Sequence, residues 1–260
     1  SWGLAYTNSF NKDSTLFLYY LTLFFLGSVL MRSAGCIFND IVDKEFDKKV
    51  ERTKNRPIAS GKISVTQSLV YVLILCALAF LILMQFNILT IVLGLSSMFL
   101  AFSYPFMKRI TYWPQLFLGI TFNWGLVMAY TSISNNISAE IIILYISAIF
   151  WTLGYDTIYG AQDISDDEII GLKSTSIKFK KNINLFVGIM YLISLFLIFY
   201  LFKDALGYNF FTLALSFFVF SLIFQVITFS KEKKKSCLKM FRVNNLSGLI
   251  FFLCILTFNN

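Results

Sequence analysis

Apolar residues in this chain gather into long runs separated by short polar stretches. Runs of mostly apolar residues fall at about 16–38, 65–86, 88–106, 113–132, 139–160, 184–202, 208–229 and 244–258. Each has the roughly 18 to 22 residues that a helix needs to cross a hydrocarbon layer about 30 Å thick. The pattern predicts an all-α, polytopic transmembrane bundle with eight complete spans. Ser1 to Tyr6 reads as the tail of another span. Because the chain starts at Ser, the expectation is that most of a first helix has been trimmed from a nine-helix protein. No linker, low-complexity stretch or soluble domain interrupts the runs, so residues 1–260 read as a single integral membrane domain.

Composition strengthens this picture. With 57% hydrophobic residues, 18% aromatics and a mean hydropathy of +0.72, the chain is too apolar to keep a soluble surface. Charge then adds a topology. Of 22 basic residues, seven lie in 43–62, two in 107–112, four in 161–183 and six in 230–243. The alternate loops hold only Lys12 and Lys203. Short cytoplasmic loops retain Lys and Arg, so these four segments are expected on the cytoplasmic side. The net charge of +8 is thus a topology signal, and no nucleic-acid partner is expected. Acidic lipid headgroups and a polyanionic substrate would both favour such loops. Four cysteines without paired spacing and no histidine exclude a zinc pattern and leave structural thiols.

Against this background two acidic stretches stand out: NDIVDKEFD from Asn39 to Asp47, and Asp156 followed by DISDDE from Asp163 to Glu168. Together they hold nine of the 14 acidic residues. If the preceding helix continues a turn or two, Asn39, Asp43 and Asp47 fall at i, i+4 and i+8 on one stripe, with Asp40 beside them. Asp163 and Asp167 repeat the i, i+4 spacing, and Asp156 lies seven residues earlier. Carboxylates packed this closely repel one another unless a cation intervenes. Mg2+ prefers such hard oxygens and keeps its remaining positions for water or phosphate, so two facing stripes would hold a diphosphate through metal ions. A pair of solvated acidic loops is the bland alternative.

Arg32 lies seven positions before Asn39, roughly 10 Å deeper in the membrane at 1.5 Å per residue. Burying it costs on the order of 2.5 to 3.5 kcal/mol on insertion scales, which makes it a candidate anchor for a substrate carboxylate. A structural ion pair or a snorkelling side chain is the competing reading. Tyr104 and Lys108 end another span on the same face, and Lys173 with Ser174 and Thr175 follows the second acidic stretch. These groups suit phosphate oxygens, although interfacial Tyr and Lys are common in any membrane protein. The 30 phenylalanines and 13 tyrosines are mostly packing or lipid-facing residues, a few of which could stabilise a carbocation through their ring faces.

Taken together, LMRSAGCIFND (Leu30–Asp40) with Asp43 and Asp47, RPIASG from Arg56, YPFMKR from Tyr104, YDT from Tyr155 through Asp163 and Asp167, and GLKST from Gly171 resemble the UbiA superfamily of intramembrane prenyltransferases. The resemblance spans nearly the whole chain and is strongest to the 4-hydroxybenzoate polyprenyltransferases of ubiquinone biosynthesis. It implies a nine-helix bundle whose cytoplasmic loops cap a central cavity open sideways to lipid. It implies Mg2+ and diphosphate held by Asn39, Asp40, Asp43, Asp47, Asp163 and Asp167. Tyr104, Lys108 and Lys173 would contact diphosphate oxygens, while Arg32, Asn39 and Asp156 would lie near the aromatic acceptor. The implied substrates are a polyprenyl diphosphate and 4-hydroxybenzoate. Asp156 would orient the phenol or take a proton. Other acceptors, such as a naphthoate, homogentisate or haem, remain open, as does a cation transporter. A transporter, however, would spread its ionisable residues near the midplane, and these crowd one interface. The expected location is a bacterial inner membrane, or the mitochondrial inner membrane in a eukaryote.

Overall fold

The computed structural model describes residues 2–49, 51 and 53–258; Ser1 of the expected N-terminal helix tail and Arg52 of the first basic loop lie outside them. Every regular element among the described residues is helical. In chain order these are α1 (Trp2–Tyr6), α2 (Ser9–Lys12), α3 (Ser14–Val42), α4 (Lys44–Asp47), α5 (Val65–Leu83), α6 (Ile88–Ile110), α7 (Pro114–Ser134) and α8 (Ala139–Gly160). A 3₁₀ turn, Ala161–Asp163, leads to α9 (Ile164–Ile169), α10 (Thr175–Lys178) and α11 (Ile183–Leu201). A second 3₁₀ turn, Lys203–Ala205, precedes α12 (Phe210–Thr228) and α13 (Lys234–Leu256). Eight of these helices are long and apolar enough to cross a membrane, as the apolar runs predict.

Helix starts follow side-chain capping. Ser64, Asn87, Ser138 and Asn209 each accept a hydrogen bond from the backbone three residues on, and Gln67 completes a capping box at Ser64. One boundary differs from the apolar pattern: the last span begins at Lys234 instead of near residue 244. Its first turns are rich in lysine, an adequate helix former that hydropathy scores against a span. Lys234, Lys235, Lys239 and Arg242 therefore belong to a helix and not to a loop.

α8 is the axis of the bundle. It packs against α11, α7 and α13, while α3 pairs with α5, α6 with α7, and α12 with α13. The short α1 wedges between α7 and α13. Buried polar pairs join the helices where lipid offers no hydrogen bonds. Asn123 donates to the Ala148 carbonyl at 3.2 Å and to Thr152 at 2.8 Å, Thr90 meets Thr131 at 3.0 Å, and Ser147 meets Ser194 at 3.0 Å. Tyr191 donates to Gln225, whose amide in turn donates to Ser247. Outward-facing Leu73, Phe99, Phe196 and Ile227 are exposed in keeping with contact to lipid tails.

Candidate active site

The first acidic stretch is built by a helix that almost continues. α3 runs through Asn39 to Val42, Asp43 leaves helical geometry at φ −90° and ψ 0°, and α4 resumes at Lys44. The amides of Asp43 and Asp47 still reach back four residues, to the carbonyls of Asn39 (2.9 Å) and Asp43 (2.8 Å). The expected stripe therefore survives the break, and the Asn39 amide donates to Asp43 Oδ2 at 3.1 Å. Glu45, off the stripe and exposed, is hydrogen-bonded by Lys48, whose ammonium draws its carboxyl below the ordinary glutamate range.

Each aspartate of the stripe meets a base. Asp43, only 2% exposed, is paired with Lys108 and, at 3.1 Å, with Arg109. Arg109 also donates to the Val42 carbonyl at 2.8 Å and lies 4.8 Å over the Phe46 ring, so it closes the end of α3 and grips α4 together. Arg56 bridges Asp40 at 2.9 Å and Asp47 at 3.0 Å. Thr53 ties the Asp47 carbonyl into the same loop, and Ile58 and Ala59 bury the segment beneath it. Arg56 and Arg109 carry no role in the sequence reading. Their partners lie 9 and 66 positions away, beyond what helical spacing can signal.

α6 contributes Tyr104 one turn before Lys108. Between them Pro105 removes the amide that would bond the Ala101 carbonyl, which loosens the ladder at this turn. Tyr104 lies within electrostatic reach of Asp43, Arg32, Asp156 and Tyr159, so the deeper and shallower groups share one region. Arg32 is exposed, forms no ion pair with a described residue, and lies 5.8 Å from the centre of the Phe122 ring. Asp156, in the last turn of α8 and half-buried, likewise shows no side-chain hydrogen bond or ion pair with a described residue.

The second acidic stretch is less regular than its spacing suggests. After α8 the chain tightens to a 3₁₀ turn and breaks at Asp163, so Asp156, Asp163 and Asp167 are not on one uninterrupted helical face. Asp163 and Asp167 are half-buried, while Asp166 and Glu168 are exposed and paired outward with Lys234 (3.4 Å) and Lys180 (2.6 Å). Gly171 then turns the chain at φ +74°, a conformation that favours glycine. The Lys173 amide donates to the Lys108 carbonyl at 2.8 Å, which docks the second loop on the helix that holds Asp43. The Lys173 ammonium donates to the Ile110 carbonyl at 3.2 Å and lies 5.7 Å from the centre of the Tyr112 ring. Gln115, another residue without a role in the sequence reading, anchors the same loop by accepting from the Thr175 amide at 3.0 Å.

Among the described residues no three carboxylates converge as a ready-made metal sphere. The donor set nonetheless fits Mg2+ bound together with a diphosphate, because such an ion takes one or two carboxylates and fills its sphere with phosphate and water. Asp40, Asp43 and Asp47 are hard oxygen donors whose present counter-ions, Lys108, Arg109 and Arg56, are themselves phosphate-binding groups.

The UbiA prenyltransferase family profile matches residues 1–254, almost the full length. The chain belongs to the UbiA prenyltransferase family. It is 40% identical over 245 residues to the mitochondrial 4-hydroxybenzoate polyprenyltransferase of Rattus norvegicus, covering 93% of this chain and 65% of the relative. It is 39% identical over 233 residues to the 4-hydroxybenzoate octaprenyltransferase of Psychromonas ingrahamii, covering 89% and 81%. The chain thus spans about two thirds of the rat relative's length, and 44% of that of its human counterpart. Among solved UbiA structures, the fold matches the apo homolog from Aeropyrum pernix with a TM-score of 0.76 at 22% identity, over 96% of this chain and 95% of that one. A homolog from Archaeoglobus fulgidus bound to DMAPP and Mg2+ matches with a TM-score of 0.69 at 18% identity, over 91% and 87%.

Proposed function

We propose that this UbiA protein transfers a polyprenyl group from polyprenyl diphosphate to the carbon ortho to the hydroxyl of 4-hydroxybenzoate, releasing diphosphate, as a step in ubiquinone assembly. Arg32 is the observation that carries the acceptor half of this reading. It is a cation within the apolar helix α3 with no acidic partner among the described residues, two helical turns before Asn39, and so it is available to a substrate carboxylate. The names of the similar rat and Psychromonas proteins point to the same acceptor.

Asn39, Asp40, Asp43, Asp47, Asp163 and Asp167 would hold Mg2+ with the donor's diphosphate. When bound, the metal neutralises the diphosphate and makes it a better leaving group. Lys108, Arg109 and Arg56 would shift from their aspartates toward phosphate oxygens, with Tyr104 beside them; Lys173 would join only after leaving the Ile110 carbonyl. In the reaction the allylic carbon–oxygen bond breaks, a bond forms to the ring carbon, and the ring proton is lost. Asp156, near Tyr104 and unpaired with any described cation, would orient the phenol or take that proton. The 161–174 loop, docked on Lys108, would keep water from the allylic cation. The lysine- and arginine-rich segments support a site on the cytoplasmic side of a bacterial inner membrane, or a location in the inner membrane of a mitochondrion.

Membranes carrying the protein, supplied with a polyprenyl diphosphate, Mg2+ and a panel of aromatic acids, are expected to prenylate 4-hydroxybenzoate and to stop on addition of EDTA. Arg32→Ala is expected to raise KM for 4-hydroxybenzoate about tenfold or more while leaving KM for the donor within about twofold, as for loss of one charge-assisted contact. Unchanged turnover in EDTA, or equal effects of Arg32→Ala on both substrates, counts against the assignment. A better rate with a naphthoate than with 4-hydroxybenzoate would favour a different acceptor.

A further inference from the structure

α13 presents a face that the proposed chemistry does not use. Within its first three turns Lys235, Lys239 and Arg242 recur at spacings of four and three, which stacks them on one stripe. All three are exposed, and none bonds to a described residue. Two nearby cations are engaged elsewhere: Lys234 reaches Asp166 at 3.4 Å, and Lys231 donates to the Lys180 carbonyl at 2.7 Å. With Leu238, Val243 and Leu246 the three cations line a shallow groove of about 510 Å³.

The stripe cannot turn inward. Cys237, Met240, Asn244, Ser247 and Phe251 bury the opposite face, and Phe241 packs 4.5 Å from Tyr159. Its end of the bundle is that of the acidic loops, because Lys234 pairs with Asp166. From Lys235 to Arg242 the helix rises roughly 10 Å at 1.5 Å per residue, comparable to the headgroup layer plus the reach of snorkelling side chains. Like charges at these spacings repel, so an uncompensated lipid-facing triad is favoured when an anion sits among them.

We propose that this stripe binds the phosphate headgroup of an anionic phospholipid, with Leu238, Val243 and Leu246 receiving the upper part of an acyl chain. Charge complementarity selects an anion, and the apolar lower wall selects a lipid over free phosphate. This site does not depend on the proposed prenyl transfer.

The test uses the full chain in phosphatidylcholine nanodiscs with increasing phosphatidylglycerol, reading retained lipid by native mass spectrometry and the unfolding midpoint. Wild type is expected to retain phosphatidylglycerol preferentially and to gain stability with it. K235Q/K239Q/R242Q is expected to lose at least about tenfold in that preference. The charge-preserving K235R/K239R/R242K and the distant K203Q are expected to keep it, which separates lost charge from general damage. Retention of the preference by the triple glutamine variant overturns the proposal. So does displacement of phosphatidylglycerol by millimolar inorganic phosphate or by geranyl diphosphate, which would assign the groove to a free anion or to a prenyl donor.

Discussion

Asp43 shows how residue-scale chemistry sets this site. Nearly all of its carboxylate is hidden from solvent, and that burial is tolerable because Lys108 and Arg109 reach it from α6. Arg109 Nη2 donates to both Asp43 Oδ1 and the Val42 carbonyl while its guanidinium carbon sits 4.8 Å over the Phe46 ring, and a lysine, with its charge on a single nitrogen, could not keep both hydrogen bonds and the planar group over the ring. Arg109→Lys is therefore expected to lower kcat/KM about 10- to 100-fold, as for loss of a charge-assisted hydrogen bond worth about 1.5–3 kcal/mol. Steady-state kinetics check this, and a variant within twofold of wild type would deny Arg109 a positioning role. The aspartates themselves were legible from their i, i+4 spacing. Their counter-ions were not, because α6 meets α3 through a packing choice that local periodicity does not encode.

At the scale of elements, the two acidic stretches diverge for a backbone reason. α3 and α4 keep i to i+4 bonding across Asp43, so the first stripe stands as its spacing predicts. The second stretch passes through a 3₁₀ turn, where three residues rather than 3.6 complete a revolution, and its residues rotate off the α8 face. The α8–α11 contact illustrates what holds the axis in place. A Cβ added at Gly154 would fall against the Tyr191 ring, whose hydroxyl is fixed on Gln225. Gly154→Ala is expected to cost about 1–3 kcal/mol by overpacking, a fall of several degrees in the unfolding midpoint in detergent. A midpoint equal to wild type would mean that α11 shifts freely, contrary to the packing seen here.

For the whole molecule, the arrangement of loops makes a prediction about sidedness. The acidic loops, the start of α13 and the end of α6 are joined by contacts at one end of the bundle, through Lys173 to Lys108 and Lys234 to Asp166. Single cysteines placed at Lys48 and Lys181 in a cysteine-free background are expected to react with a membrane-impermeant reagent from one side, and a cysteine at Lys203 from the other. Labelling of all three from a single side would break the eight-span topology. The same organisation explains why polar residues recur inside so apolar a chain. Asn123, Gln225 and the paired serines and threonines join helices in a medium without water, where packing and hydrogen bonds replace the hydrophobic drive to associate.

What the amino-acid order determined by itself is the eight long apolar helices, the alternation of loops rich and poor in Lys and Arg between them and the identity of the acidic residues, because span length, capping and i, i+4 spacing are local properties of a chain. Even there, the start of α13 moved ten residues once its lysines proved helical. Only the tertiary structure decided which bases neutralise Asp40, Asp43 and Asp47, that Arg32 has no acidic partner among the described residues, and that the second loop docks on Lys108. Those contacts join residues 9 to 66 positions apart, and their geometry follows from how the helices pack and where the loops between them turn.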